Sequence, residues 1–210
     1  MTLPDAPDLA TATVPVASKR PKPGERRTQI LQALAAMLEQ AGAERITTAA
    51  LAARLQVSEA ALYRHFASKA QMYEGLIAFI EDSLFTLANR VLAQEPDPAA
   101  QCQRIVSLIL QFAEKNPGMA RVMVGDALVF EHERLGQRMN QGFDRLESLL
   151  RQSGRALAEA RGSAAPTVDA QVLASAAVSL VLGRLQRFCR TGFKRLPTEH
   201  LGPTLHMLLG

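Results

Sequence analysis

The chain has 210 residues, 48% of them hydrophobic but only 5% aromatic and none tryptophan, a Leu/Ala/Val balance that predicts an all-α fold rather than β structure. That length allows one sizeable core or two small helical modules, and a net charge of +4 with a pI near 9.4 is compatible with an anionic partner without identifying one. Cys102 and Cys189 have neither metal-ligand nor redox-motif spacing and read as thiols in a reducing cytosol, so no metal or cofactor is expected.

The chain does not open with a basic cluster followed by an apolar run, so no signal peptide is expected. Residues 1–24 contain Pro4, Pro7, Pro15, Pro21 and Pro23 with few large apolar residues, and cannot bury enough surface to offset the entropy of ordering. A disordered basic tail is the expectation. From about Arg26 to Ala41, Ile30, Leu31, Leu34, Met37 and Leu38 recur at helical spacing until Gly42.

Thr47 to Phe66 read as two short helices joined by a tight turn. Leu51, Ala52 and Leu55 make one apolar stripe, and Ala61, Leu62 and His65 a second. Thr47 or Thr48 can cap the first helix and Ser58 the second. The second helix, with Ser58, Glu59, Ala60, Tyr63, Arg64 and His65, is small or polar at its start and aromatic or basic at its end. Such a helix can sink into a major groove while Tyr63, His65 and Lys69 meet the flanking phosphates. Ser68-Lys69-Ala70-Gln71 has the form of a capping box, which would turn the positive end of a third helix toward the same backbone. Lys19, Arg20, Lys22, Arg26 and Arg27 lie just ahead of this unit against the single acid Glu25. For Lys19 to Lys22, a solvated tail and a direct nucleic-acid contact are both open. A helical hairpin inside a core has the same periodicity as a helix-turn-helix.

Beyond Lys69, apolar positions from Met72 to Leu92 predict one long helix to about Ala93, stopped by Glu95-Pro96-Asp97-Pro98. A helix from about Ala99 to Lys115 should end at Asn116-Pro117-Gly118. A segment from Met119 to about Leu128 follows, then a long amphipathic helix from about Glu131 to Glu159 and a loop over Arg161 to Pro166. From Val168 to about Arg190, Ser175, Ser179 and Gly183 recur every fourth residue beside Val178, Leu182 and Leu185. That strip admits a close backbone and predicts a dimer seam at Ser175, Ser179, Leu182 and Gly183, with an intrachain contact as the alternative. The longest apolar run, Val172 to Leu185, is interrupted by Ser175, Ser179 and Arg184 and is too short for a bilayer, so no membrane insertion is expected. A short helix from about Thr198 to Leu209 closes the chain.

The stretch ITTAALAARLQVSEAALYRHFASKAQMYEGLI resembles the DNA-binding region of the TetR family, in which Thr-x-x-x-[Leu/Ile]-Ala, a turn and Val-Ser precede Leu-Tyr-x-His-Phe-x-x-Lys. The match falls on Leu51-Ala52, Val57-Ser58, Leu62-Tyr63, His65-Phe66 and Lys69, while Gln56 stands where that family often has glycine. The resemblance implies a TetR-like all-α fold, with a helix-turn-helix DNA-binding domain over residues 25–70 and a helical dimerisation and partner-binding domain over 71–210. DNA contacts are then expected from Thr47, Thr48, Ser58, Glu59, Ala60, Tyr63, Arg64, His65 and Lys69.

LIAFIEDSLF, FAEKNPGMARVMVGDALVFE, RLGQRMNQGFDRLESLLRQ and RFCRTGFKRLPTEHL are similar to the nucleoid occlusion branch of the family, over roughly residues 26–200. This implies a homodimer, or a dimer of dimers, on palindromic double-stranded DNA, which holds the C-terminal tail of FtsZ between the long linking helix and the next and breaks up its polymers. By position the groove residues are Phe79, Leu108, Lys115 and Asn116. Leu87, Gln111 and Lys115 depart from the arginine, glycine and arginine of that branch. Without the resemblance, Phe79 and Leu108 read as core and Lys115 as a cation at a helix C-terminus. A ligand-responsive repressor, with an effector cavity among Leu108, Phe112, Met123 and Leu128, is the rival. No acid, base and nucleophile set emerges around His65, His132, His200 or His206, so no enzyme is expected. A cytoplasmic protein associated with the nucleoid is the expectation.

Overall fold

The computed structural model describes residues 24–40 and 46–209. The expected disordered tail and the helix stop at Gly42 lie outside the described residues. Among those described, nine α-helices and one 3-10 turn make up the fold, with no strand.

Helix α1 (Glu25–Leu38) packs on α2 (Thr48–Arg54), and α2 in turn on α3 (Glu59–Tyr63). Thr47 Oγ1 accepts the Ala50 N–H at 3.1 Å and Ser58 Oγ the Ala61 N–H at 3.3 Å, each satisfying a donor that the first helical turn leaves open. Between the two helices Gln56 sits at φ +54°, and Val57 N–H reaches back to Ala52 O while Gln56 N–H reaches Ala53 O. This is a Schellman closure, with glutamine at the position that favours glycine. Helix α4 (Lys69–Gln94) starts with Ser68 Oγ accepting the Gln71 N–H. Gln71 Oε1 accepts the N–H of Ala67, one residue earlier than a capping box would have it.

Asp97 caps α5 (Pro98–Lys115) by accepting the N–H groups of Ala99 and Ala100. The stretch expected as one segment to Leu128 is broken into α6 (Pro117–Met123) and a 3-10 turn (Asp126–Leu128), because Gly125 enters the left-handed region at φ +84°. Helices α7 (Glu133–Ala160), α8 (Pro166–Arg190) and α9 (Leu201–Leu209) complete the body.

Side-chain pairings give the directions. Arg134–Glu74 and Arg138–Glu81 lay α7 parallel to α4. Ser153–Gln101 sets α5 antiparallel to α7, and Gln171 bonded to both Glu147 and Arg151 sets α8 antiparallel to it as well. The N-terminal ends of α4 and α7 and the C-terminal ends of α5 and α8 therefore share one end of the body, which we call the base. There α6 docks on α1: a Cβ on Gly118 would lie 2.1 Å from Ala35 O, and Arg121 donates to Leu38 O at 3.3 Å. Arg27, grouped with the basic tail in the sequence, donates to His65 O at 2.6 Å and lies 4.1 Å above the Phe66 ring.

One apolar core runs from Ile30, Leu51, Leu62 and Phe66 through Leu76, Ile105 and Phe112 to Leu185, Phe188 and Leu205. Each such side chain contributes roughly 1.5–3 kcal/mol by leaving water. At 25 residues α8 is longer than the apolar run expected from the sequence. By length and composition it is the one helix among the described residues that could cross a membrane. Its apolar residues divide between a core face, which includes Val178 and Leu185, and an exposed strip.

Candidate DNA interface, partner groove and dimer face

Leu62 and Phe66 anchor α3 in the core and leave Ser58, Glu59, Ala60, Tyr63, Arg64 and His65 on its exposed side. The Tyr63 ring is 45% exposed, although a tyrosine of that size would be buried if it were core. Thr47 and Ser58 use their oxygens as caps and retain hydroxyl protons to donate outward. Thr48 Oγ1 donates to a Glu59 carboxylate oxygen, tying the start of α2 to the start of α3. The face is a convex helix with two cap hydroxyls, an aromatic ring, an arginine and a histidine, a set that suits phosphate and base-edge contacts.

Lys69, expected as a phosphate contact, is engaged within the chain. Its Nζ pairs with Glu131, the two side chains are only 17% and 8% exposed, and Nζ lies 5.6 Å from the Tyr73 ring centroid. The loop before α7 delivers Glu131 to the first turn of α4, a partner 62 positions away that no local pattern announces. Burial, helped by the negative charge of Glu131 and opposed by Arg121, raises the pKa of the Tyr73 hydroxyl and keeps it protonated.

Of the groove residues, Phe79 is half-buried, its ring centroid 6.5 Å from that of Phe112. Lys115 and Gln111 are exposed on α5. Leu108 and Asn116, expected as groove residues, are interior, at 7% and 2% exposure. Asn116 donates its side-chain N–H to Phe112 O at 2.8 Å, closing the last turn of α5 before Pro117. Leu87 is core, as its apolar side chain requires. Leu108, Phe112, Met123 and Leu128, the candidate lining of an effector cavity, all belong to the packed core.

Ser175, Ser179 and Gly183 are exposed on α8, with Leu182 half-buried beside them. A Cβ on Gly183, or on Gly136 of α7, would meet nothing within 4 Å. Together with Met123, Val124, Met139 and Leu182 these glycines border an open cleft of about 490 Å³. The strip extends to Val168 and Val172, exposed valines missed in the sequence although they continue the alternating four- and three-residue spacing back from Ser175. Val129 and Phe130, both 69% exposed, were also missed. Burial pushes the thiol of Cys102 up to about 11, and burial followed by the charge of Asp126 pushes Cys189 up to about 12, so both are protonated at neutral pH.

Comparison with known proteins places this geometry. Residues 30–76 match the bacterial regulatory proteins of the tetR family, and residues 97–209 match the SlmA-like, tetracyclin repressor-like C-terminal domain. The nucleoid occlusion factor SlmA of Idiomarina loihiensis is 54% identical over 175 residues, covering 83% of this chain and 89% of that protein. SlmA of Photobacterium profundum is 53% identical over 180 residues, covering 85% and 91%. In fold the chain is similar to the TetR family transcriptional regulator PfmR of Thermus thermophilus, with a TM-score of 0.69 at 22% identity over 87% of this chain and 95% of that one. The exposed α3 face, the docked helical body and identity above one half along most of the chain make this protein a member of the SlmA family of nucleoid occlusion factors, within the TetR-type regulators.

Proposed function

We propose that two protomers pair through the α7–α8 face and grip palindromic double-stranded DNA with residues 47–65. Residues 25–70 serve as the DNA-binding unit, and the rest of the chain as the dimerisation and partner-binding body. Thr47, Ser58, Tyr63, Arg64 and His65 contact the backbone or bases, Ala60 allows close approach, and Thr48 holds Glu59. The protein works in the cytoplasm on the nucleoid. On DNA it captures the acidic, partly apolar C-terminal tail of FtsZ along α4 and α5, with Phe79 as the apolar surface and Lys115 as the cation, and disrupts FtsZ polymers over the chromosome. Leu108 and Asn116 act from behind as wall and helix cap. It needs no cofactor and catalyses nothing.

The observation that carries this reading is similarity that runs through residues 97–209 as well as the DNA-binding end, in a body shared with proteins named nucleoid occlusion factors. The direct test follows light scattering of polymerising FtsZ with this protein and a duplex carrying a palindromic site. Scattering should fall when protein and duplex are both present and hold when either is omitted. Polymers indifferent to the complete mixture would overturn the reading.

A further inference from the structure

The base of the body carries a second concentration of positive charge, separate from α3. Arg187, Arg190, Lys194 and Arg195 are all exposed, and among the described residues none of the four makes an ion pair. Cations in the last turn of α8 are favoured by the helix dipole, which accounts for Arg187 and Arg190. Lys194 and Arg195 lie beyond the helix end, where that account does not reach.

The turn that carries them is firmly built. Arg184 donates to Pro197 O at 2.8 Å, to Glu199 O at 2.7 Å and to Thr204 Oγ1 at 2.8 Å, pinning the chain after α8. Phe193, at φ +65°, returns its ring to within 5.1 Å of Phe188, and Arg195 N–H donates to Thr191 Oγ1 at 3.1 Å. Arg184, Arg187, Arg195 and His200 line a cleft of about 610 Å³ in which Glu199 is the one acid.

The turn also lies on the side of the DNA-binding unit. Arg121, which bonds Leu38 at the end of α1, is close enough for its charge to act on Cys189 in the last turn of α8. Thr198 bonds Glu114 near the end of α5. A two-fold dimer on a palindrome has its axis normal to the duplex, so pairing through α8 brings the base ends of both α8 helices near that axis. Like charges from two protomers would then converge, each cluster offset only by the Glu199 of its own cleft, and phosphates beneath would balance the remainder.

Resting on the paired-protomer reading above, we propose that Arg190, Lys194 and Arg195 form a second, sequence-independent contact with duplex phosphates between the two α3 helices. Each phosphate neutralised adds about 0.9 to the slope of log affinity against log salt. Lys194→Glu with Arg195→Glu alters four cations per dimer, so the slope should fall by about 2–4. The test is fluorescence anisotropy of a random 30-bp duplex across a salt series, with sedimentation velocity on the same samples. Arg90→Glu with Arg145→Glu, exposed positions away from both the base and the α8 strip, imposes the same net charge change and should leave the slope nearly unaltered.

A fall confined to the base variant, with the dimer intact, supports the contact. An unchanged slope overturns it, including the case where the variant loses only an acidic peptide ligand. An equal fall in both variants overturns it in favour of net charge alone, and dissociation of the base variant overturns it in favour of a dimer contact. If the wild-type chain itself sediments as a monomer, the pairing fails first and this convergence fails with it.

Discussion

Gln56 holds the turn of the DNA-binding unit in a conformation suited to glycine, at φ +54°. A left-handed residue with a Cβ costs about 1–2 kcal/mol, and glycine there would return about 0.5–1 kcal/mol through the freedom of the unfolded chain. Gln56→Gly should therefore stabilise the protein by up to about 1 kcal/mol, read as a higher urea midpoint at constant slope. A midpoint that stays or drops would mean the turn is unstrained. The cap residues Thr47, Ser58 and Ser68 were legible because each acts on its own first turn. Lys69 and Asn116 were not: the carboxylate on Lys69 arrives from the far side of the fold, and Asn116 looks like a surface amide until Phe112 O is placed beside it.

Among the helices, α8 divides its apolar residues between Ala174, Val178, Val181 and Leu185 in the core and Val168, Val172 and Leu182 along the outer strip. The four-residue rhythm of small side chains was visible in the sequence, but which neighbours lay beside it was not. Val178 and Leu185 are separated from that strip by the helical turn that buries them. Ser179→Arg would set two guanidinium groups against each other across the proposed two-fold seam, and sedimentation should shift from dimer to monomer. A dimer that survives would place the pairing surface elsewhere. The break at Gly125 escaped notice because a single glycine in an apolar stretch is common, and its positive φ serves to close the end of α6, where its N–H reaches Val122 O.

At the scale of the molecule, the DNA-binding unit and the body meet backbone to backbone where Gly118 abuts Ala35. The neighbour is a carbonyl and cannot rotate aside, so Gly118→Ala must push α6 off α1. The expected loss is about 1–3 kcal/mol, in line with overpacking of a tight interior. An unchanged urea midpoint would show that the contact yields freely. The number and order of the helices were readable from periodicity and punctuation, since each amphipathic run stops at Pro, Gly or a cap. The α1–α6 contact was not, because it depends on two segments more than eighty residues apart in the chain. Helix α4 runs unbroken through the 70/71 junction and buries Met72, Tyr73, Leu76 and Ile77. Splicing a foreign reading head onto this body would have to bring matching knobs for that stripe, so a change of binding sequence comes more readily by altering side chains at the proposed α3 interface than by swapping the head.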